Sequence, residues 1–170
     1  MKRFAIAVLL TSVSTLSFAA QSTCQQSKYD AYIDASLAWY KDLVTITTTQ
    51  QPELKEVGEW FLKGRTHHFE LNREAVHHYL ANDPSKVNTA GSVESWLKLE
   101  QQDIKQLTTR NDKLGKLAKE TFSDRQALPH PNNYDLRTAF ADLLSHPSKI
   151  DQALSHYNAK ISKIEQTQCD

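Results

Sequence analysis

The stretch HHFELNREAVHH, residues 67–78, holds four of the chain's seven histidines together with two glutamates. Imidazoles and carboxylates ligate transition metals, and imidazole moves protons near neutral pH. On a helix, where successive residues are separated by about 100°, the stretch divides by face. His68 points with Leu71 and Ala75 toward a core. His67 and His78 fall at the edge of that face, and His77 looks to water alongside Glu70, Arg73 and Glu74. His67 and His78 lie about 16 Å apart along the axis, too far to share one ion. The pairs able to share one are His67 with Glu70, Glu70 with Glu74, and Glu74 with His77 or His78. Each pair falls short of the four ligands of a structural zinc or the three of a catalytic one. A divalent transition metal here would need a ligand from another helix, for instance His156, Glu100 or Asp34.

Other site chemistries are poorly supplied. Glu74-Ala75-Val76-His77 is one Glu-x-x-His element, but di-iron bundles use two, with two further inward glutamates, and no second element exists. C-x-x-C-H is absent and the single Met is residue 1, so a bis-His pair such as His68 with His156 is the one haem ligation left. H-E-x-x-H, G-x-S-x-G, the P-loop and the dinucleotide glycine motif are all missing. The plain reading of the histidine stretch is therefore a solvated helix edge plus buried polar candidates His68 and His156. Trp39, Trp60 and Trp96 read as core side chains on three successive helices. Trp39 lies off the main apolar stripe and is the candidate interface residue, since Trp is enriched at interface anchors.

The ends of the chain speak to compartment. Lys2 and Arg3 precede an apolar run rich in Ser and Thr, and Ser17-Phe18-Ala19 offers small residues where a signal peptidase reads. This predicts a cleavable secretory leader over residues 1–19 and a mature domain over 20–170. The run is short of the roughly 20 apolar residues a span needs, and Cys24 lacks the preceding residues of a lipid-attachment box. The prediction is a periplasmic or secreted protein without a stable membrane span. The full chain carries 20 basic and 20 acidic residues. Without the leader, 18 face 20, a formal charge of −2 that provides no basic footprint for nucleic acid. Cys24 and Cys169 are the two cysteines, and in an oxidising compartment they predict one disulfide joining the termini. Closing so long a loop is worth roughly 5 kcal/mol in the loop-entropy model.

Four segments show helical periodicity. The first opens at Ser27, in Ser27-Lys28-Tyr29-Asp30, which resembles a capping box, and buries Tyr29, Tyr32, Ile33, Leu37, Tyr40, Leu43 and Val44. It ends in the threonine-rich run before Pro52, which in turn suits the first position of the second helix. That helix carries Leu54, Val57, Phe61, Gly64, His68, Leu71, Ala75 and His78 on its seam. A third is expected from a cap at Ser92 through Phe122, with Gly115 costing about 1 kcal/mol inside it. The fourth starts from an Asn133 cap and is kinked or broken at Pro147, its two pieces collinear. Consecutive helices with short connections run antiparallel, and an even number of passes brings Cys24 and Cys169 to the same end. The expected fold is all-α, an up-down-up-down four-helix bundle.

These features predict a non-catalytic exported helical protein acting by protein–protein contact, an inhibitor, immunity-type protein or envelope adaptor with a protein partner in the cell envelope. The alternative is a histidine-rich bundle responsive to metal or pH, with His67, Glu70, Glu74, His77 and His78 as its ligand pool.

Overall fold

The stripe that begins at Tyr29 is carried on a helix that starts well before its local signals suggest. In the computed structural model, which describes residues 14–169, α1 runs Ser14–Gln50. Residues 1–13 of the expected leader lie outside the described residues. Ser27 sits inside α1 rather than capping it, and its hydroxyl donates to the Thr23 carbonyl at 3.0 Å. The threonine run is absorbed in the same way: Thr45, Thr47 and Thr49 donate to the carbonyls four residues back, at 2.7–2.8 Å. This back-bonding satisfies the hydroxyls and lets weak helix formers persist in a helix. Extended Gln51 ends α1 ahead of Pro52, as the steric restriction before proline requires. Pro52 opens a single 3₁₀ turn, Pro52–Leu54, and α2 follows over Lys55–Asn82.

The third expected helix is two. After a 3₁₀ turn at Val93–Ser95 the chain runs extended into α3, Gln101–Leu107, then turns into α4, Lys113–Gln126. Polar side chains make the restarts. Glu100 and Asp103 form a reciprocal capping box at the head of α3. Asp112 accepts the Gly115 N–H at 3.0 Å at the head of α4, while Arg110 grips the same carboxylate at 2.5 Å. The fourth segment is broken at Pro147 as expected: α5 covers Asn133–Ser145, a 3₁₀ turn Pro147–Lys149, and α6 Asp151–Glu165. Asn133 is the first helical residue rather than the cap. Asn132 takes the cap position, with no side-chain bond. The described residues thus form six α-helices and no strand, in place of four uninterrupted ones.

The helices α1 and α2 form the central pair. α4 runs back along α2, α6 lies along α1, and α5 leans on both α1 and α2. The core is accordingly in two parts. One gathers Tyr29, Ile33, Leu71, Val76, Ile104 and Leu114, closed by Trp96 stacked on Tyr29 at 5.9 Å. The other gathers Leu43, Leu54, Val57, Leu136, Phe140 and Ile150 beneath α5. A ladder of rings joins them, Phe69 to Tyr40 at 5.7 Å, Tyr40 to Phe61 at 5.8 Å and Phe61 to Phe140 at 5.2 Å.

The Cys24–Cys169 disulfide is present, with the Cα atoms 5.6 Å apart. It ties the residues after α6 to the early part of α1. Lys28 reinforces it by donating to the carbonyls of Glu165 and Thr167 at 3.1 and 2.9 Å. No helix among the described residues is long and apolar enough to cross a membrane.

Candidate functional site

Taken residue by residue, the histidine stretch fastens α2 to its neighbours. His67 Nδ1 lies 2.7 Å from Asp124 Oδ2 of α4, and Glu74 meets Lys113 of the same helix at 2.6 Å. Toward α1, His77 Nε2 lies 2.8 Å from Asp30, and Arg73 reaches Asp34 at 2.6 Å and Asp30 at 3.4 Å while also holding Glu70. His77 is half-buried against α1 rather than open to water, because an α1 carboxylate stands opposite it. His78 meets only Asn82 one turn on, and packs on Tyr79. The five residues of the metal reading thus have separate partners on three helices. Among the described residues no three of His, Cys, Asp and Glu gather closely enough to hold a metal ion. His156 is exposed on α6, not buried, and distant in sequence and element from His68.

His68 does point inward, and no strong hydrogen bond holds it there. Its Nε2 is 3.5 Å from the Asn72 side-chain nitrogen, and its ring meets Phe69 edge-on at 5.5 Å. Burial, then the positive charges of Arg125 and Arg65, push its pKa down to about 4. The folded value lies below the ordinary 6.5, so the unfolded chain takes up a proton that the folded chain refuses. The stability this neutral ring contributes is full above pH 6.5 and is lost as pH falls towards 4. At pH 5 the loss is about 2 kcal/mol. The melting midpoint should fall between pH 7 and pH 5, and fall less in His68→Gln. Parallel pH profiles for the two chains would show that another group is responsible.

His68 forms part of the wall of a cleft of about 1010 Å³. Four helices build it. α1 contributes Trp39, Tyr40 and Leu43, and α2 contributes Trp60, Phe61, Lys63, Arg65 and His68. Asp124 and Arg125 come from α4, and Arg137, Phe140 and Leu144 from α5. Tyr40, Phe61 and Phe140 of the aromatic ladder form its floor. Arg65 lies over that floor, its guanidinium carbon 5.0 Å from the ring centres of both Tyr40 and Phe61. Cationic side chains outnumber acidic ones on the lining: Lys63, Arg65, Arg125 and Arg137 against Asp124, itself engaged by His67.

The rim is apolar and wet. Trp60 is 39% exposed and Leu144 49%; outside the lining, Leu128 of the connection between α4 and α5 and Tyr134 in the first turn of α5 reach 89% and 78%. The connection between α4 and α5 is ordered by His130, whose Nδ1 accepts the Asn132 N–H at 3.2 Å and whose ring lies against Trp60 at 5.8 Å. The exposed tryptophan is therefore Trp60, expected in the core. Trp39, the expected interface residue, is half-buried, stacked on Tyr157 of α6 at 5.5 Å, and meets the cleft from within. Sequence reading missed the cleft because its walls come from four helices. The one local hint was basic residues interleaved with aromatic ones in WFLKGR, residues 60–65. No known protein family, curated protein or solved structure matches this chain.

Proposed function

We propose that this chain is an exported, non-catalytic helical protein that acts by binding another protein, as an inhibitor, an immunity-type protein or an adaptor in the cell envelope. The observation that carries the reading is the apolar rim of the cleft. Trp60 and Leu144 leave large side chains in water on the lining of one concavity, and exposed large apolar side chains at a hollow of this kind mark protein contact sites. The disulfide is in keeping with an oxidising compartment, and the leader predicted over residues 1–19 supplies the route to one.

The test is site-specific photo-crosslinking in intact cells, with the photoreactive residue at Trp60, at Leu144, or at Lys160 on α6 outside the rim. Both rim positions should give the same protein adduct and Lys160 none. Absence of an adduct at both rim positions, or turnover of a substrate by the purified chain, would overturn the reading.

A further inference from the structure

We propose that the cleft receives an acidic segment of the protein partner, with a carboxylate seated between Arg65, Arg125 and Arg137 and a neighbouring aromatic or aliphatic side chain laid on the ring floor. The inference rests on the protein-binding reading above and adds the chemistry of the bound segment.

The arginines carry the argument. Five lie among the described residues. Arg73 is paired with Asp30, Asp34 and Glu70, and Arg110 with Asp112. The other three, Arg65, Arg125 and Arg137, all line the cleft, and none of them has a carboxylate partner among the described residues. Arginine presents a planar fork that matches a carboxylate in bidentate geometry. Arg65 is also held in place by the two rings beneath it, so little freedom remains to be lost when it takes a ligand. The lone acid of the lining, Asp124, is turned to His67 at 2.7 Å and does not neutralise the three guanidinia. His68 contributes no positive charge at neutral pH, because it stays unprotonated beside them.

Shape and charge choose the class of ligand. A volume of about 1010 Å³ far exceeds a small inorganic anion, and rings such as Phe61 and Phe140 have no use for one. Four cations around a concavity, on a chain with equal numbers of acidic and basic residues, are too few to track a nucleic-acid backbone. Anionic membranes are met by convex basic surfaces or amphipathic faces, whereas these guanidinia surround a hollow. An extended peptide with acidic and aromatic residues fits both the charge and the floor.

The probe is a short synthetic peptide alternating Glu and Phe with Ser spacers, and the same peptide with Gln for Glu. Binding is followed by tryptophan fluorescence and by the NMR titration of His68. The Glu peptide should bind about tenfold or more tightly than the Gln peptide. It should also raise the His68 pKa, since the added negative charge offsets Arg65 and Arg125. Arg65→Met, which keeps the apolar stem over the rings, and Arg137→Gln, at an exposed position, should each weaken the Glu peptide about tenfold while leaving the melting midpoint in place. Equal binding of the two peptides, an unmoved His68 titration, or tighter retention of a polynucleotide or of phosphatidylglycerol vesicles than of the Glu peptide would each overturn the proposal. Rim crosslinks that persist with equal peptide binding leave the protein-contact reading standing and remove this one. Selective peptide binding without crosslinks does the reverse.

Discussion

Replacement of both Cys24 and Cys169 by serine is expected to lower the unfolding free energy by about 5 kcal/mol in the loop-entropy limit. The bond joins residues 145 apart in sequence, so its removal restores to the unfolded chain nearly all the freedom a single crosslink can remove. The folded chain also has little to replace it. No side chain of α6 is fully buried, and Leu154, Tyr157, Ile161 and Ile164 are only half-buried along α1. The other anchors of α6 are few: the Lys28 contacts to its last turn, the Trp39–Tyr157 stack and the Val93 N–H donated to Glu165 at 2.8 Å. Chemical denaturation of the serine variant under non-reducing conditions should show the full loss. Hydrogen exchange should place the first opening in α6, with α1 and α2 still protected. A midpoint equal to that of the parent chain would mean that α6 packing alone holds the end closed.

The second large effect is expected at Gly115. A Cβ built there collides with the Arg110 carbonyl oxygen and comes within 2.7 Å of the carbonyl carbon. Backbone cannot step aside as a flexible side chain can, so Gly115→Ala should destabilise by about 3 kcal/mol, the upper part of the usual overpacking range. Gly64 provides the contrast. It lies within α2, and a Cβ there meets nothing within 4 Å. Gly64→Ala should stabilise by about 0.5–1 kcal/mol through helix propensity alone. Thermal melts of the two variants should move in opposite directions from the parent. Shifts of the same sign would show that the turn between α3 and α4 gives way more readily than its geometry implies.

Gly115 also shows where the sequence could be read and where it could not. Ile104, Leu107, Leu114 and Ala118 keep a helical spacing, and all four are buried. The pattern thus identified the core side chains of this region correctly and still implied a single helix. Periodicity records which side chains turn inward, not whether the backbone between them is continuous. The glycine that looked costly inside one helix is the residue that lets the chain fold tightly at the start of the next. Cys24 and Cys169 were legible because compartment and covalent geometry constrain them independently of packing. The break at Pro147 was legible because proline acts locally.

Side-chain environment was legible only as far as one helix determines it. The face assignment of α2 places His68 inward correctly, because its hydrogen-bond and ring neighbours, Asn72 and Phe69, lie on α2 itself. It fails for His77, whose neighbour Asp30 belongs to α1, and for Trp60, which sits over a hollow between helices rather than against one. Trp39 lies off the main apolar stripe of α1. It lies there because α6, a helix separated from it by most of the chain, supplies Tyr157. Beyond WFLKGR the cleft has no linear signature: the three arginines without a carboxylate partner among the described residues lie at positions 65, 125 and 137, on different helices.

The division of the core has a thermodynamic consequence. The two apolar clusters are bridged by the rings of Tyr40, Phe61, Phe69 and Phe140, and Tyr40, Phe61 and Phe140 line the cleft. An occupant of the cleft therefore spans the joint between the two apolar clusters, and its binding free energy adds to the cooperativity between them. At a hundredfold excess over Kd that linkage amounts to about 2.7 kcal/mol. A partner seated there would act as a keystone, making the half built on α5 and the half built on α4 unfold as one.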